Sequence, residues 1–430
     1  MNHSDTAGFA AALCQFLDSS PTPFHAVATM RDMLESAGFK QMVEADSWQL
    51  QPDEKYFVAR NDSSIIAWTQ PTAALHDVGF RMLGAHTDSP CLKVKPSADI
   101  HRHHCWQLGV EVYGGALLNP WFDRDLSLAG RVHYERKNGE LATGLVNIER
   151  PVAYIPSLAI HLDREANKNR SVNPQTQLPV LLASGGDVDD KPALADMLLK
   201  SLREADSEAA MVLDHELFLY DTQPAAIIGV EQDFIVSARL DNLLSCFVAT
   251  RALLDAAGDA CSLMVCTDHE EVGSQSAAGA GGPFLQQVLQ RIVPDSDDYV
   301  RALAVSQLIS VDNAHGLHPN YADKMDDNHG PQLNAGPVIK VNANQRYVSN
   351  SETQSIFRRL CAKADVPVQS FVVRSDMGCG STIGPITASE IGVKTLDIGL
   401  ASYAMHSIRE MAGSRDPQLL KQVLDLFYSS

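Results

Sequence analysis

Short apolar runs recur along the chain, and several of them break off at a histidine or a carboxylate. The run Ser262 to Thr267 is long enough for a buried strand and too short for a helix, and it ends at Asp268-His269-Glu270-Glu271. Upstream, residues 6–18 carry apolar positions at helical spacing and stop before Pro21 and Pro23. A second helix is predicted from Phe24 to Ala37, ending at Gly38, then a hairpin of Tyr56–Ala59 and Ser64–Trp68. Gly79 to Ala85 reads as a strand that finishes at His86-Thr87-Asp88.

Between about residues 97 and 235 the texture changes to short alternating segments: Trp106–Val112, Gly130–Tyr134, Ala153–Ile155, Glu216–Tyr220 and Ala226–Val230. One helix is predicted here, Ala193 to Arg203, along with polar loops at 167–177 and 184–192. Beyond that stretch the α/β rhythm returns. Helices are predicted at 240–257, 283–292, 351–362 and 416–428, and strands at 308–311, 335–341, 370–374 and 394–400. The expected fold class is therefore α/β, a mixed sheet flanked by helices. Residues 1–93 and 236–430 form its main domain, and 94–235 a β-rich insertion.

The 430 residues exceed one ordinary core, and 45 % hydrophobic with 20 % charged residues describes a globular protein. A formal charge of −19 argues against nucleic acid or an anionic membrane surface as partner. No run approaches the ~20 apolar residues that cross a bilayer, and the first residues lack a signal-peptide layout. The eight cysteines contain no Cys-x-x-Cys pair, which suggests a reduced, cytoplasmic protein. A metal would have to rest on histidine and carboxylate.

Five strand-like runs end in such side chains: His86 with Asp88, Asp241, Glu270 with Glu271, Asp312, and His406. Singly, each has a plain explanation. Asp241 could cap the helix it opens, Asp312-Asn313 could be a turn, and His406 could be a surface residue opening a helix. His86 could bond only to Asp88. Jointly they supply two imidazoles and several carboxylates, the donor set of a two-zinc hydrolase, with one carboxylate left over to move protons. Asp88 would orient His86 from behind.

The stretches Gly84-Ala85-His86-Thr87-Asp88-Ser89-Pro90, Ser237-Ala238-Arg239-Leu240-Asp241-Asn242, Asp268-His269-Glu270-Glu271-Val272-Gly273-Ser274, Ser310-Val311-Asp312-Asn313-Ala314-His315-Gly316 and Tyr403-Ala404-Met405-His406-Ser407 resemble the aspartyl aminopeptidase family of dinuclear zinc exopeptidases. Trp121–Gly130 and Cys379–Pro385 look like two further signatures of that family. The resemblance implies a zinc-exopeptidase fold carrying an inserted dimerisation domain. It implies two zinc ions per subunit, which cobalt or manganese can replace: one held by His86, Asp241 and Asp312, the other by Asp241, Glu271 and His406. Glu270 is then the general base, assisted by Asp88. His161 matches a histidine that reaches the active site of a neighbouring subunit, touching either metal or substrate. His315, Lys340 and Tyr347 match substrate-pocket positions. The implied activity is removal of N-terminal, acidic residues from peptides inside a homo-oligomeric shell, commonly a tetrahedral dodecamer.

Two rival readings use the same residues: a two-zinc amidase or deacylase acting on N-acyl amino acids, and a silent, shell-forming peptide-binding protein. A thiol hydrolase through Cys379 lacks an evident base. Gly378-x-Gly380 and Gly279-x-Gly281-Gly282 do not have nucleotide-binding spacing.

Overall fold

A computed structural model describes residues 3–184 and 193–430 of the chain. The polar loop expected at 184–192 thus falls, apart from its first residue, outside the described residues. The chain forms two compact units. The first comprises residues 1–88, 225–405 and 410–430, and the second 89–224 with 406–409. The cuts expected at 93/94 and 235/236 compare with observed ones at 88/89 and 224/225.

The first unit is built on a nine-stranded mixed sheet. Its four central neighbours are Cys261–Thr267, Phe80–His86, Gln307–Val311 and Lys394–Gly399, all parallel. These strands are buried on both faces, which is why they read as nearly unbroken apolar runs instead of alternating ones. Leu83, Ala85, Met264, Ile309 and Ile398 face the helices His3–Asp18, Pro23–Ser36, Leu240–Leu254, Ser351–Ala364 and Asp416–Tyr428. Met82, Leu263, Val265 and Leu308 pack on the other side with Phe284, Leu285 and Val288 of Phe284–Ile292. The period-two division between the faces follows from the pleat. A parallel sheet covered this way leaves its strand ends as the open edge for chemistry.

The outer strands complete the same sheet. Lys55–Arg60 and Ser64–Thr69 form the expected hairpin, and Val338–Val341 pairs in parallel with Gln369–Val372. A smaller five-stranded sheet of the same unit joins Ala226–Ile228, Phe234–Ser237, Glu410–Gly413, Ala401–Tyr403 and Ala314–His315.

The second unit is a six-stranded antiparallel sheet. Its core includes Leu92, Leu108, Leu128, Val132 and Leu217, with Leu194, Leu198 and Leu202 of the helix Leu194–Ala205. Sequence reading missed three of its strands: Cys91–Arg102, Leu141–Asn147 and Val180–Ser184. Ala153–Ile155 was expected as a strand and makes only isolated bridges, Ala153 to Leu126 and Tyr154 to Leu181. Pro151 and Pro156 flank this segment, and neither can donate to a ladder.

Candidate active site

Three of the four central strands, Phe80–His86, Cys261–Thr267 and Gln307–Val311, deliver their polar ends to one place, where Asp241 joins them from the segment after Phe234–Ser237. His86 is the last residue of Phe80–His86 and is 1 % exposed. Its Nε2 stands 3.5 Å from Asp241 Oδ1 and 3.5 Å from Asp312 Oδ1. Its Nδ1 lies 3.1 Å from the carbonyl oxygen of Asp88 and 3.4 Å from that residue's Oδ1. One ring nitrogen therefore faces the two aspartates while the other is held from behind.

Asp241 is not the helix cap suggested by its position. It has φ −84° and ψ 104°, outside helical values, and lies two residues after Arg239, which adopts φ 60°. The peptide after it is cis. Its N–H donates to Glu410 Oε2 at 2.8 Å, and Asn242 Nδ2 donates to the Val311 carbonyl at 2.8 Å. Arg239 is tied down as well, its guanidinium donating to the carbonyls of Ser20 and Leu17. The backbone thus leaves the helix path where Asp241 must reach inward, and neighbouring groups hold it there.

Asp312 follows Gln307–Val311, and its N–H donates to the Ile398 carbonyl. Its Oδ2 meets Lys340 Nζ at 3.0 Å, and the same ammonium donates to the Asn313 carbonyl at 3.0 Å. Lys340 is only 2 % exposed, unusual for a lysine. A buried ammonium needs an anion beside it, and Asp312 supplies one. Tyr347 covers Lys340, its ring centroid 5.2 Å from Nζ. Phe371 stacks edge-on against both Tyr347 and His315.

Glu270 and Glu271 lie in the short 3₁₀ turn Glu270–Val272 after Cys261–Thr267. Their backbone N–H groups donate to the two oxygens of Asp88 at 3.1 Å each. Asp88, fully buried, thereby fixes the turn that carries both glutamates. The chain enters the turn through His269 at φ 67° and leaves it through Gly273 at φ 99°, where glycine is unstrained.

Electrostatically the site is short of positive charge. Burial pushes the Glu270 carboxyl up to about 7, with Asp312 and Asp241 adding to the rise and His86 opposing it. Burial lifts Glu271 to about 10, again reinforced by Asp241. Asp268 rises to about 6 through burial and the neighbouring Asp88 charge. For His86, burial disfavours the cation, yet Asp241, Asp312 and Asp88 outweigh it and hold the imidazole well above its usual range. Crowded carboxylates that resist ionising are what a cation would relieve.

Two sets in this unit each bring three donors within 4.8 Å of one another: His86, Asp241 and Asp312; and His86, Glu270 and Glu271. Imidazole nitrogen with carboxylate oxygen suits zinc, so the residues present fit that ion. His406 falls in the 406–409 segment, where its Nδ1 lies 3.1 Å from the Gly115 carbonyl oxygen. It does not open a helix: it stands at φ 67° in the turns that connect Ala401–Tyr403 to Glu410–Gly413. His161 is exposed on a turn of the second unit and belongs to neither strand nor helix. Glu410 and Asn242, which set the course of the Asp241 segment, were not singled out from sequence. The only hint was an acidic residue, Glu410, in a run otherwise fit for burial.

A helix-flanked sheet whose strand ends gather imidazole and carboxylates defines a metal-dependent hydrolase-type site. The family model for the aminopeptidase I zinc metalloproteases, M18, matches residues 16–428, and the chain belongs to that family. A probable M18 family aminopeptidase 2 of Pseudomonas syringae pv. tomato is 58 % identical over 97 % of both chains, and one of Pseudomonas entomophila 59 % over 98 % of both. Among solved structures, Ape4 in its complex with Nbr1 superposes with a TM-score of 0.95 at 38 % identity, covering 100 % of this chain and 87 % of that one. The yeast mApe1 dodecamer gives 0.84 at 27 %, covering 98 % and 97 %. The protein is a zinc metallopeptidase with a mixed α/β fold. Among the described residues no helix is long and apolar enough to cross a membrane.

Proposed function

We propose that the protein removes N-terminal residues, preferentially Asp or Glu, from peptides. The observation that carries this reading is the convergence of His86, Asp241 and Asp312 beside the Glu270–Glu271 turn. In this reading two zinc ions bind per chain: one by His86, Asp241 and Asp312, the other by Asp241, Glu271 and His406, a set of the same donor types. Bound zinc would polarise the scissile carbonyl and acidify water. Glu270, whose backbone is fixed beside the His86, Asp241 and Asp312 set, takes the proton from the attacking water and returns it to the leaving amine. Asp88 holds that carboxylate's backbone in place.

His315, Lys340 and Tyr347 form the substrate side. Lys340 spends part of its charge on Asp312, so an acidic substrate residue would meet a cation already partly neutralised. A catalytic unit from 1–93 and 236–430 and a dimerisation unit from 94–235 remain the proposed division of labour, with His161 offered to a neighbouring subunit. Support for assembly comes from the second unit, where Leu141, Leu158, Leu162 and Met211 are exposed by 51–75 %, an apolar surface that a further copy would cover. By analogy with the yeast dodecamer, twelve chains in a tetrahedral arrangement is the proposed assembly, placed in the cytoplasm and open to peptides only. Cobalt or manganese is expected to substitute for zinc.

The test is a hydrolysis profile over aminoacyl substrates, free and N-acetylated, with and without chelator. Cleavage confined to free amines, strongest for Asp and Glu, and abolished by chelator is expected. Preferential cleavage of the acetylated set would move the protein to the amidases.

A further inference from the structure

One buried carboxylate serves no step described so far. Asp397 lies in the central strand Lys394–Gly399 and is fully buried. Its carboxylate is met by hydrogen-bond donors: Oδ2 accepts the Val348 N–H at 2.6 Å and Oδ1 the Thr382 hydroxyl at 2.8 Å. Its own backbone N–H donates to Ser349 Oγ at 3.0 Å, and that hydroxyl lies 3.2 Å from its carbonyl oxygen. Burial raises its pKa, while Lys340 acts against that rise through its charge. Gly384 leaves room for the group: a Cβ there would stand 2.1 Å from Oδ1 and 2.7 Å from Oδ2.

The two segments that meet this carboxylate also hold each other. Arg346 Nε donates to the Cys379 carbonyl at 3.3 Å, and the Ser381 hydroxyl donates to the Arg346 carbonyl at 3.3 Å. Tyr347, between Arg346 and Val348, is in turn within reach of the Cys379 side chain. A buried acid is costly unless its hydrogen bonds are all made. Here Ser310 of the adjacent strand is one partner, and the other two bonds run to two loops, where an apolar residue would have served the core alone.

We propose that Asp397 is a positioning residue for substrate binding, its carboxylate pinning the Tyr347–Ser349 and Cys379–Gly384 segments together as one wall of the substrate site. This rests on the reading above that Lys340 and Tyr347 face the substrate. The hub acts through Tyr347 and Lys340, and touches no reacting atom.

The experiment compares the full-length, zinc-loaded protein with Asp397→Ala, Thr382→Val and Asp397→Asn. It reads KM, kcat, zinc per chain, and the alkylation rate of the half-buried Cys379 by peptide mass mapping. Asp397→Ala and Thr382→Val are expected to raise KM about tenfold, to change kcat less than about twofold, and to speed Cys379 alkylation several-fold. Zinc per chain should stay unchanged. Asp397→Asn should restore KM and alkylation, since its oxygen can accept from Val348 and its amide can donate to the Thr382 hydroxyl. If Asp397→Ala does not fold, Thr382→Val carries the test alone. Unchanged KM and alkylation in both disruptive variants overturns the proposal, and so does loss of zinc together with kcat. If the unmodified protein cleaves no free-amine substrate while alkylation still accelerates in the variants, the aminopeptidase reading fails and the anchoring role stands.

Discussion

At the scale of single residues, the site depends on neighbours that hold its side chains: Asp88 behind His86 and the glutamate turn, Lys340 beside Asp312, and Glu410 and Asn242 around Asp241. Asp241 can reach both His86 and the interior because its backbone is fastened by Glu410 and Asn242. It belongs to both proposed ion sites, so Asp241→Ala should lose zinc as well as activity. Metal analysis that still finds two zincs per chain would contradict the bridging role. A second residue-scale prediction concerns His25, half-buried, bonded to Thr22 and lying near Arg239. Burial first, and the Arg239 charge second, lower it from 6.5 to about 4. The unfolded chain therefore binds this proton before the folded one does, and stability is lost as pH falls from 6.5 towards 4. The loss should reach about 3 kcal/mol. Denaturant titrations across that window should show a shallower pH slope for His25→Gln than for the unmodified chain.

Elements explain why some of this was legible in the sequence and some was not. Runs such as Cys261–Thr267 and Gln307–Val311 were readable because a strand buried on both faces has to be apolar throughout. Their abrupt ends at Asp268 and Asp312 marked where the sheet meets the site. Leu141–Asn147 went unread because its exposure alternates but its residue types do not follow: Leu141 and Leu145 face outward while Ala142 and Gly144 face inward. The irregular start of the helix at Asp241 was likewise hidden, since a strand-end aspartate before an apolar helix looks like a cap. The burial of Lys340 depends on Asp312 being beside it, a partner that spacing cannot reveal. The turn Glu270–Val272 illustrates an element-scale dependence: two N–H groups rest on one carboxylate, Asp88. Asp88→Ala should retain the fold and most zinc while lowering kcat about 10–100-fold, the usual cost of losing an outer-shell partner. Steady-state kinetics beside metal analysis would check this, and an unchanged kcat would remove Asp88 from the mechanism.

For the whole molecule, the sequence suggested a helix-flanked mixed sheet interrupted by a β-rich insertion. The structure has a nine-stranded mixed sheet in one unit and a six-stranded antiparallel one in the other. Topology was beyond sequence reading because strand order depends on crossovers: Phe80–His86 sits between Cys261–Thr267 and Gln307–Val311, far from it in the chain. The fold likewise brings His86 beside Asp241 and Asp312, 155 and 226 positions further along the chain. Assembly belongs to this scale. The proposed twelve-chain assembly would bury exposed apolar side chains of the second unit such as Leu141 and Leu162. Light scattering should give a single twelve-chain species, and a stable, fully active monomer would remove the shell from the account.

The central claim is that Glu270 moves the proton while its neighbours hold the metal. Glu270→Gln keeps the size of the side chain and removes the base. Zinc content and turnover, measured on the same preparation, therefore test the claim most directly. The account predicts two zincs per chain with turnover lowered roughly a thousandfold; near-normal turnover with both zincs bound would contradict it.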